Sequence, residues 1–411
     1  MPQSFWKILV YIKKGIQIAI VAIEDIVLCV KVNSYMLLDW LKEKKIIVFH
    51  ISSPGQVQFI SPIYNEFKKR NINTAFYLAC DYPIKNKTDE MNIPLSHCIS
   101  GRVTKYLFLT DVFLQTEIYG RGPKNAKRVF VGHGQPNKWT NWSEENLKSF
   151  DYYFLYGELE RSMFEVIMKD RPESTKHIKL MDIGYPKLDA QIQGLYDRVK
   201  VLKGLGLNPD LKTIIYAPAW DPGGSLRILG LKVAEKLLEI DNINLLVKLH
   251  PVSMEPEDSV HYKFYTGGVN WQKEFSVFVD RSNFRFIGEH LINPLLSASD
   301  VMVTDFSGVA LEFMTLDRPV IYIDCPEFYN KILREWGNDP EVSKNDDRFN
   351  AGRNAGVVVR DLEELKKAVR LSLADPSELS SKRESLIKRF LYNPGKASIA
   401  ASDAILKLLN R

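Results

Sequence analysis

The stretch Ile292-Asn293-Pro294-Leu295-Leu296-Ser297-Ala298-Ser299-Asp300-Val301-Met302-Val303-Thr304-Asp305-Phe306-Ser307-Gly308-Val309-Ala310-Leu311-Glu312-Phe313 decides the fold. It reads as a helix end, a short apolar strand over 301–304, a tight polar turn, and a second helix carrying Val309, Leu311, Phe313 and Leu316. A turn that leads from strand to helix leaves backbone N–H groups without carbonyl partners, and the helix dipole favours an anion there. The turn at Ser307 and Gly308 is therefore expected to receive a nucleotide diphosphate, and Glu312 to reach a ribose hydroxyl. The competing reading is an ordinary strand–helix junction with Ser307 as N-cap.

The same alternation runs outward from this stretch. Strands are expected at 46–49, 74–79, 106–109, 128–131 and 152–155, with helices at 57–70 and 158–169. A second series follows Gly184-Tyr185-Pro186-Lys187-Leu188-Asp189. Its strands fall at 213–217, 244–249, 301–304, 320–323 and 356–359, and its helices at 226–239, 309–316, 362–373, 380–390 and 397–409. This is the rhythm of parallel sheets. The fold class is α/β, with two doubly wound Rossmann-like domains facing a cleft. Residues 45–189 form the first, and 190–411 the second with its closing helix. The polar stretch 344–353 reads as a loop.

At 411 residues the chain exceeds one typical core, and 45% hydrophobic with 26% charged residues is a globular composition. A net charge of +5 suits an anionic substrate or surface and does not mark a nucleic-acid binder. Cys29, Cys80, Cys98 and Cys325 lack metal-ligand spacing and read as reduced thiols. There is no zinc motif, Walker loop or nucleophile elbow, so neither metal nor cofactor is expected.

Residues 1–44 form a separate leader. From Phe5 to Val32 it is apolar but broken by Lys7, Lys13, Lys14, Glu24, Asp25 and Lys31. Each charge costs about 2.5–3.5 kcal/mol at mid-bilayer, which disfavours a spanning helix. On a helical wheel the charges and Gln17 gather within about 120°, leaving an apolar face with Trp6 and Tyr11 suited to an interface. The expectation is an amphipathic helix lying in the membrane plane. Helices packed on the protein's own core are the alternative.

Two histidines end buried strands. His133, between Gly132 and Gly134, is placed as a general base, because its pKa lies near working pH and the glycines let a substrate approach. Lys138 is positioned to hold an anionic group. His250 follows Leu245-Leu246-Val247-Lys248-Leu249 and precedes Pro251. Protonated, it would neutralise a diphosphate leaving group, with Lys248 adding charge. A third strand-end loop, Tyr216-Ala217-Pro218-Ala219-Trp220-Asp221-Pro222-Gly223-Gly224-Ser225, permits close approach to a ligand. His50 ends the first strand and is expected to face the acceptor.

Together these residues resemble the CDP-glycerol glycerophosphotransferase family of teichoic-acid primases and polymerases. The family's His-Gly-x-x-x-Lys matches His133, Gly134 and Lys138, and its Gly-Tyr-Pro-Arg/Lys-x-Asp matches 184–189. Its Tyr-Ala-Pro matches Tyr216 to Pro218, and its basic-x-His-Pro matches Lys248, His250 and Pro251. Its long C-terminal motif resembles Leu295 to Ile321, with Arg318 and Pro319 in register, and Asn393 to Ser398 resembles its last helix entry. Phe306, Gly308, Ala219 and Asp221 depart from the pattern, and the loop after Tyr329 lacks the usual Arg-Gly-Phe.

The resemblance implies a GT-B fold and metal-independent transfer of glycerol phosphate from CDP-glycerol, or a related CDP-polyol, to a polyprenyl-linked saccharide or polymer. The protein would sit on the cytoplasmic face of the cell membrane as a peripheral protein. By carry-over His133 is the base, and His250, Thr304, Asp305, Ser307 and Gly308 surround the diphosphate. The lack of a further N-terminal domain points to a primase-like single transfer. Rival readings are a GT-B glycosyltransferase with another nucleotide sugar, a UDP-sugar 2-epimerase-like isomerase, and a non-catalytic saccharide-binding module. The isomerase needs cleft carboxylates, for which only Glu117 and Asp111 stand near a strand end in the first domain.

Overall fold

The structure, a computed structural model, describes residues 3–81, 91–119, 122–134, 143–289, 291–335 and 347–410, and for 3–19, 348 and 349 the backbone alone. A helix α1 (Gln3–Leu41) enters the first half. There follow β1 (Lys45–Ile51), α2 (Val57–Arg70), β2 (Thr74–Cys80), β3 (Cys98–Ser100), β4 (Val112–Gln115), β5 (Lys127–Phe130), β6 (Tyr152–Leu155), α3 (Glu158–Asp170) and β7 (Lys179–Asp182). The strands form one sheet in the order β3-β2-β1-β4-β5-β6-β7, with parallel pairing throughout.

The second half contains β8 (Lys212–Tyr216), β9 (Ile243–Val247), β10 (Phe284–Phe286), α4 (Asn293–Ala298), β11 (Val301–Thr304), α5 (Val309–Met314), β12 (Val320–Ile323), α6 (Asp347–Asn354) and β13 (Val357–Val359). Helices α7 (Leu362–Ala374), α8 (Ser380–Phe390) and α9 (Ala397–Leu409) close the chain. Its parallel sheet runs β10-β9-β8-β11-β12-β13. These are the two doubly wound α/β sheets expected. Both are covered on both faces, which is why β1 and β9 read as unbroken apolar runs.

Several elements depart from expectation. Residues 106–109 form no strand, because a helix side chain takes up their backbone. Asn33 of α1 donates to the Tyr106 carbonyl (3.0 Å) and accepts from Phe108 N–H (3.0 Å). Tyr106 and Phe108 are exposed as a result. Strands β3 and β10, of three residues each, are too short to show periodicity, and β4 and β7 lie outside the expected set. The helix expected over 226–239 splits into Ser225–Leu229 and Lys232–Leu237 at Gly230, whose φ is +56°. Part of the polar stretch is helix α6 rather than loop, with Asp347 paired to Arg389 at 2.8 Å.

The largest difference concerns α9. Assigned by sequence to the second domain, it packs on the first sheet beside α2, because Ala401, Ala404, Ile405 and Leu408 form an apolar stripe that enters that core. Arg70 of α2 pairs with Asp403 at 2.5 Å. Buried Asp189 caps the helix, accepting from the N–H groups of Ala397 (3.0 Å) and Ser398 (2.7 Å) and from the Ser398 hydroxyl. The Gly-Tyr-Pro-Lys-x-Asp segment and the Asn393–Ser398 segment are thus one joint. Asp189→Ala leaves two buried N–H groups without partners and is expected to cost about 2–3 kcal/mol, read as a lower urea midpoint. Asp189→Asn keeps an acceptor and should lose less.

Candidate functional site

The ends of β1, β4 and β5 meet around His133. Its ring Nδ1 lies 2.8 Å from the Thr116 carbonyl. A carbonyl only accepts, so Nδ1 carries the hydrogen, and the neutral ring has its lone pair on Nε2. The side chain is 46% exposed, so that lone pair is within reach of a substrate. Tyr156 braces the loop beneath: its hydroxyl donates to the Val131 carbonyl (2.9 Å) and accepts from the Gly134 N–H. Gly132 has φ +68°, and a Cβ there would stand 2.6 Å from the Tyr156 oxygen. Gly134 has φ +156° and open space where a Cβ would be. Lys138 lies outside the described residues.

His50 is a correction. It does not face the cleft but is 1% exposed, stacked on Phe113, with Nε2 3.3 Å from Asp81 Oδ1. In register with Ala79 and Gln115, it points to the α1 side of the sheet.

On the second side, four expected ligand residues prove to be scaffolding. Asp305 is fully buried and accepts from Ala219 N–H (2.9 Å), Ser225 N–H (2.9 Å) and Ser225 Oγ (2.8 Å). Burial pushes its pKa up against those donors. The Thr304 hydroxyl donates to the Ala217 carbonyl (2.7 Å), and the Tyr216 hydroxyl pairs with Ser225 Oγ (2.9 Å). Pro218 is buried between them. Their polar groups are spent fastening the 216–225 loop to the β11 end, which places Trp220. Ser307 and Gly308 stay half-exposed. Gly308, not Ser307, takes the N-cap position of α5. The N–H groups of Ser307, Gly308 and Val309 meet no protein acceptor among the described residues, as an anion-binding turn requires.

His250 is exposed, and its Nδ1 accepts from Val252 N–H at 3.3 Å. Its neutral tautomer therefore carries the hydrogen on Nε2, opposite to His133. Sequence reading missed the aromatic cluster around it. Trp220 lies 6.4 Å from His250 between ring centres, with Tyr265 at 5.3 Å and Phe264 at 6.0 Å from Trp220. Phe264 and Tyr265 lie more than forty positions after Trp220, so no motif joined them to it.

Glu312 is also a correction. It is 4% exposed, and its carboxylate is taken by Lys187 (2.7 Å) and the Tyr185 hydroxyl (3.3 Å) rather than turned to a ribose. This pair joins the two halves. Tyr185 stacks between Tyr156 (4.1 Å) and Phe59 (5.9 Å), and Phe59 meets His133 edge-on at 6.4 Å. Lys187 lies 5.2 Å from the Phe59 ring and close enough to Lys248 to disfavour its charge. Lys248 is 4% exposed with Nζ on the Leu249 carbonyl (2.7 Å). Burial first, then Lys187, pull its pKa down to about 8, against Glu289. A line of contacts thus runs from His133 through Phe59 and Lys187 to the strand that carries Lys248 and His250.

Residues 41–405 match the family described as CDP-Glycerol:Poly(glycerophosphate) glycerophosphotransferase. The chain belongs to that family. A teichoic acid poly(glycerol phosphate) polymerase of Bacillus spizizenii is 25% identical over 245 residues, 53% of this chain and 57% of the relative. A teichoic acid glycerol-phosphate primase of the same organism is 29% identical over 156 residues, 36% of this chain and 35% of the relative. The chain therefore matches little more than half the length of these curated relatives, or less. Among solved structures, the wall teichoic acid polymerase TagF superposes with a TM-score of 0.65 at 18% identity, covering 97% of this chain and 98% of that one. A UDP-N-acetylglucosamine 2-epimerase superposes at 0.52 and 14% identity, covering 90% and 97%. At these identities the likeness establishes the fold, the GT-B arrangement of two Rossmann-like units.

Buried Lys248 carries a testable cost. The folded state disfavours its charge, so the unfolded chain binds more protons between about pH 8 and the ordinary lysine value near 10.4. Lys248→Met should raise Tm at pH 7, and the gain should shrink as pH climbs through that window and the wild-type lysine is neutralised.

Proposed function

We propose that this protein transfers glycerol phosphate, or a related polyol phosphate, from a CDP-polyol to a hydroxyl of a lipid-linked saccharide or polymer, releasing CMP, in the synthesis of a teichoic-acid-like surface polymer. The observation that carries the reading is an exposed His133 with its lone pair on Nε2, together with a strand–helix turn whose Ser307, Gly308 and Val309 N–H groups meet no protein acceptor among the described residues. The unit built on the first sheet holds the acceptor, and the unit built on the second holds the nucleotide.

The acceptor O–H gives its proton to His133 Nε2 as its oxygen attacks the β-phosphorus, which bears the polyol. The bond from that phosphorus to the bridging oxygen breaks, and CMP leaves with the electron pair. The charge gathering on the leaving phosphate is met by His250 Nε2–H and by the N–H groups of Ser307, Gly308 and Val309, with Lys248 adding positive potential from below. The buried positions of Asp305, Thr304 and Tyr216 support this division of labour by keeping the turn rigid.

Attachment to the cytoplasmic face of the membrane belongs to the same reading, since a lipid-linked acceptor stays there. Along α1, Ile23, Ile26, Val27 and Val30 are each more than 60% exposed, while Val32 and Met36 on the other side are buried against the first sheet. Exposed Tyr106 and Phe108, tied to Asn33, extend the apolar face. No helix among the described residues is long and apolar enough to cross a membrane. A helix of this kind lies in the interface.

Incubation with CDP-glycerol and a lipid-linked saccharide should release CMP, and thermal shifts should favour CDP over UDP and GDP. His133→Ala should lower turnover by at least about a hundredfold while CDP still stabilises the protein. Full turnover in that variant removes His133 as the base. The double variant Val27→Glu/Val30→Glu should weaken co-sedimentation with anionic vesicles.

A further inference from the structure

We infer that Glu117 is the positioning residue of His133, a role that rests on the reading of His133 as the base. Thr116 and Glu117 directly follow β4, so one turn of chain presents two groups to the same ring nitrogen. The Thr116 carbonyl takes the Nδ1 hydrogen at 2.8 Å, and Glu117 Oε2 stands 3.9 Å from that nitrogen. The second distance is too long for a hydrogen bond but short for the attraction between a carboxylate and an imidazolium. Glu117 therefore does little for the neutral ring and most for the protonated one, the form His133 takes in the transition state.

The carboxylate is held in place for this. Its Oε1 accepts from Ser52 Oγ (2.6 Å) and from Gln56 Nε2 (2.5 Å). The Gln56 amide is itself fixed, since its Oε1 accepts from Ser52 N–H (2.7 Å) and Thr116 Oγ1 (2.7 Å), which forces its Nε2 toward Glu117. Gln56 is 5% exposed and Glu117 17% by side chain. Among the described residues no lysine or arginine lies within salt-bridge distance of Glu117, and His133 is the neighbour that turns cationic when it takes the proton. The ends of β1 and β4 thus build a prepositioned negative charge behind the base, on the side away from Nε2.

A structural role for the same network would show as lost stability or weaker substrate binding, so the test separates these. Glu117→Gln keeps one oxygen acceptor for Ser52 and Gln56 and removes the charge. It should lower kcat about ten- to hundredfold, with Tm and the KM for CDP-glycerol within about twofold of wild type. In a His133→Ala background the same change should alter the residual rate by less than about twofold, because the charge acts through the ring. Formate added to Glu117→Gly should restore part of the turnover, and none in His133→Ala. Equal losses in both backgrounds, or a raised KM at unchanged kcat, would overturn the role of Glu117 and leave His133 standing as the base. An active His133→Ala protein would instead overturn the base itself.

Discussion

A buried ion pair between the two halves sets the geometry on which the rest depends. Lys187 and Glu312 are both nearly closed to solvent, Lys187 on the turn after β7 of the first sheet and Glu312 on α5 after β11 of the second. Two charges removed from water are stable only together, so the pair resists any arrangement that parts them. Around it Tyr185 touches Tyr156 and Phe59, and Phe59 touches His133. The segment that carries Lys187 also carries Asp189, which fastens the last helix. One short stretch after Ile183 therefore fixes where His133 stands, how the halves meet and where the chain returns.

The fold was legible wherever apolar periodicity was long or a strand was buried on both faces. Helix α2, strands β6, β11 and β12, and helices α8 and α9 lie where the pattern places them. The errors have definite causes. The 106–109 run is apolar, but Asn33 satisfies its backbone, and no local pattern reveals a partner so far away in sequence. The place of α9 depends on Asp189, about two hundred positions upstream. A helical stripe shows that a core exists without naming which one.

In the site, the sequence located the loops better than the atoms. Strand-end positions nominated the His133, His250 and Ser307 loops, and all three stay open to solvent. Side-chain direction was not readable. His50 lies within β1 and Asp305 directly follows β11, and both are buried. A polar residue near a strand end has two outlets, ligand or scaffold, and here the exposed histidines, His133 and His250, each stand three residues beyond their strands. Glu312 shows the same ambiguity across domains, since its partner comes from the other half. Glu117 was visible only as a carboxylate near a strand end, and its meaning came from Ser52 and Gln56 holding it.

The joint near Asp189 has a mechanical consequence. The chain passes between the halves once after Ile183 and again near Asn393, and the two passages touch. Asn393 donates to the carbonyls of Asp182 and Ile183, and Gly184 lies so close to Tyr392 that a Cβ would stand 2.0 Å from its carbonyl oxygen. Two tethers side by side behave like the spine of a book. They leave the covers one easy movement, swinging about the spine, and oppose twisting or sliding. An acceptor of the proposed kind, entering between the covers, would thus find the same facing pages at every opening.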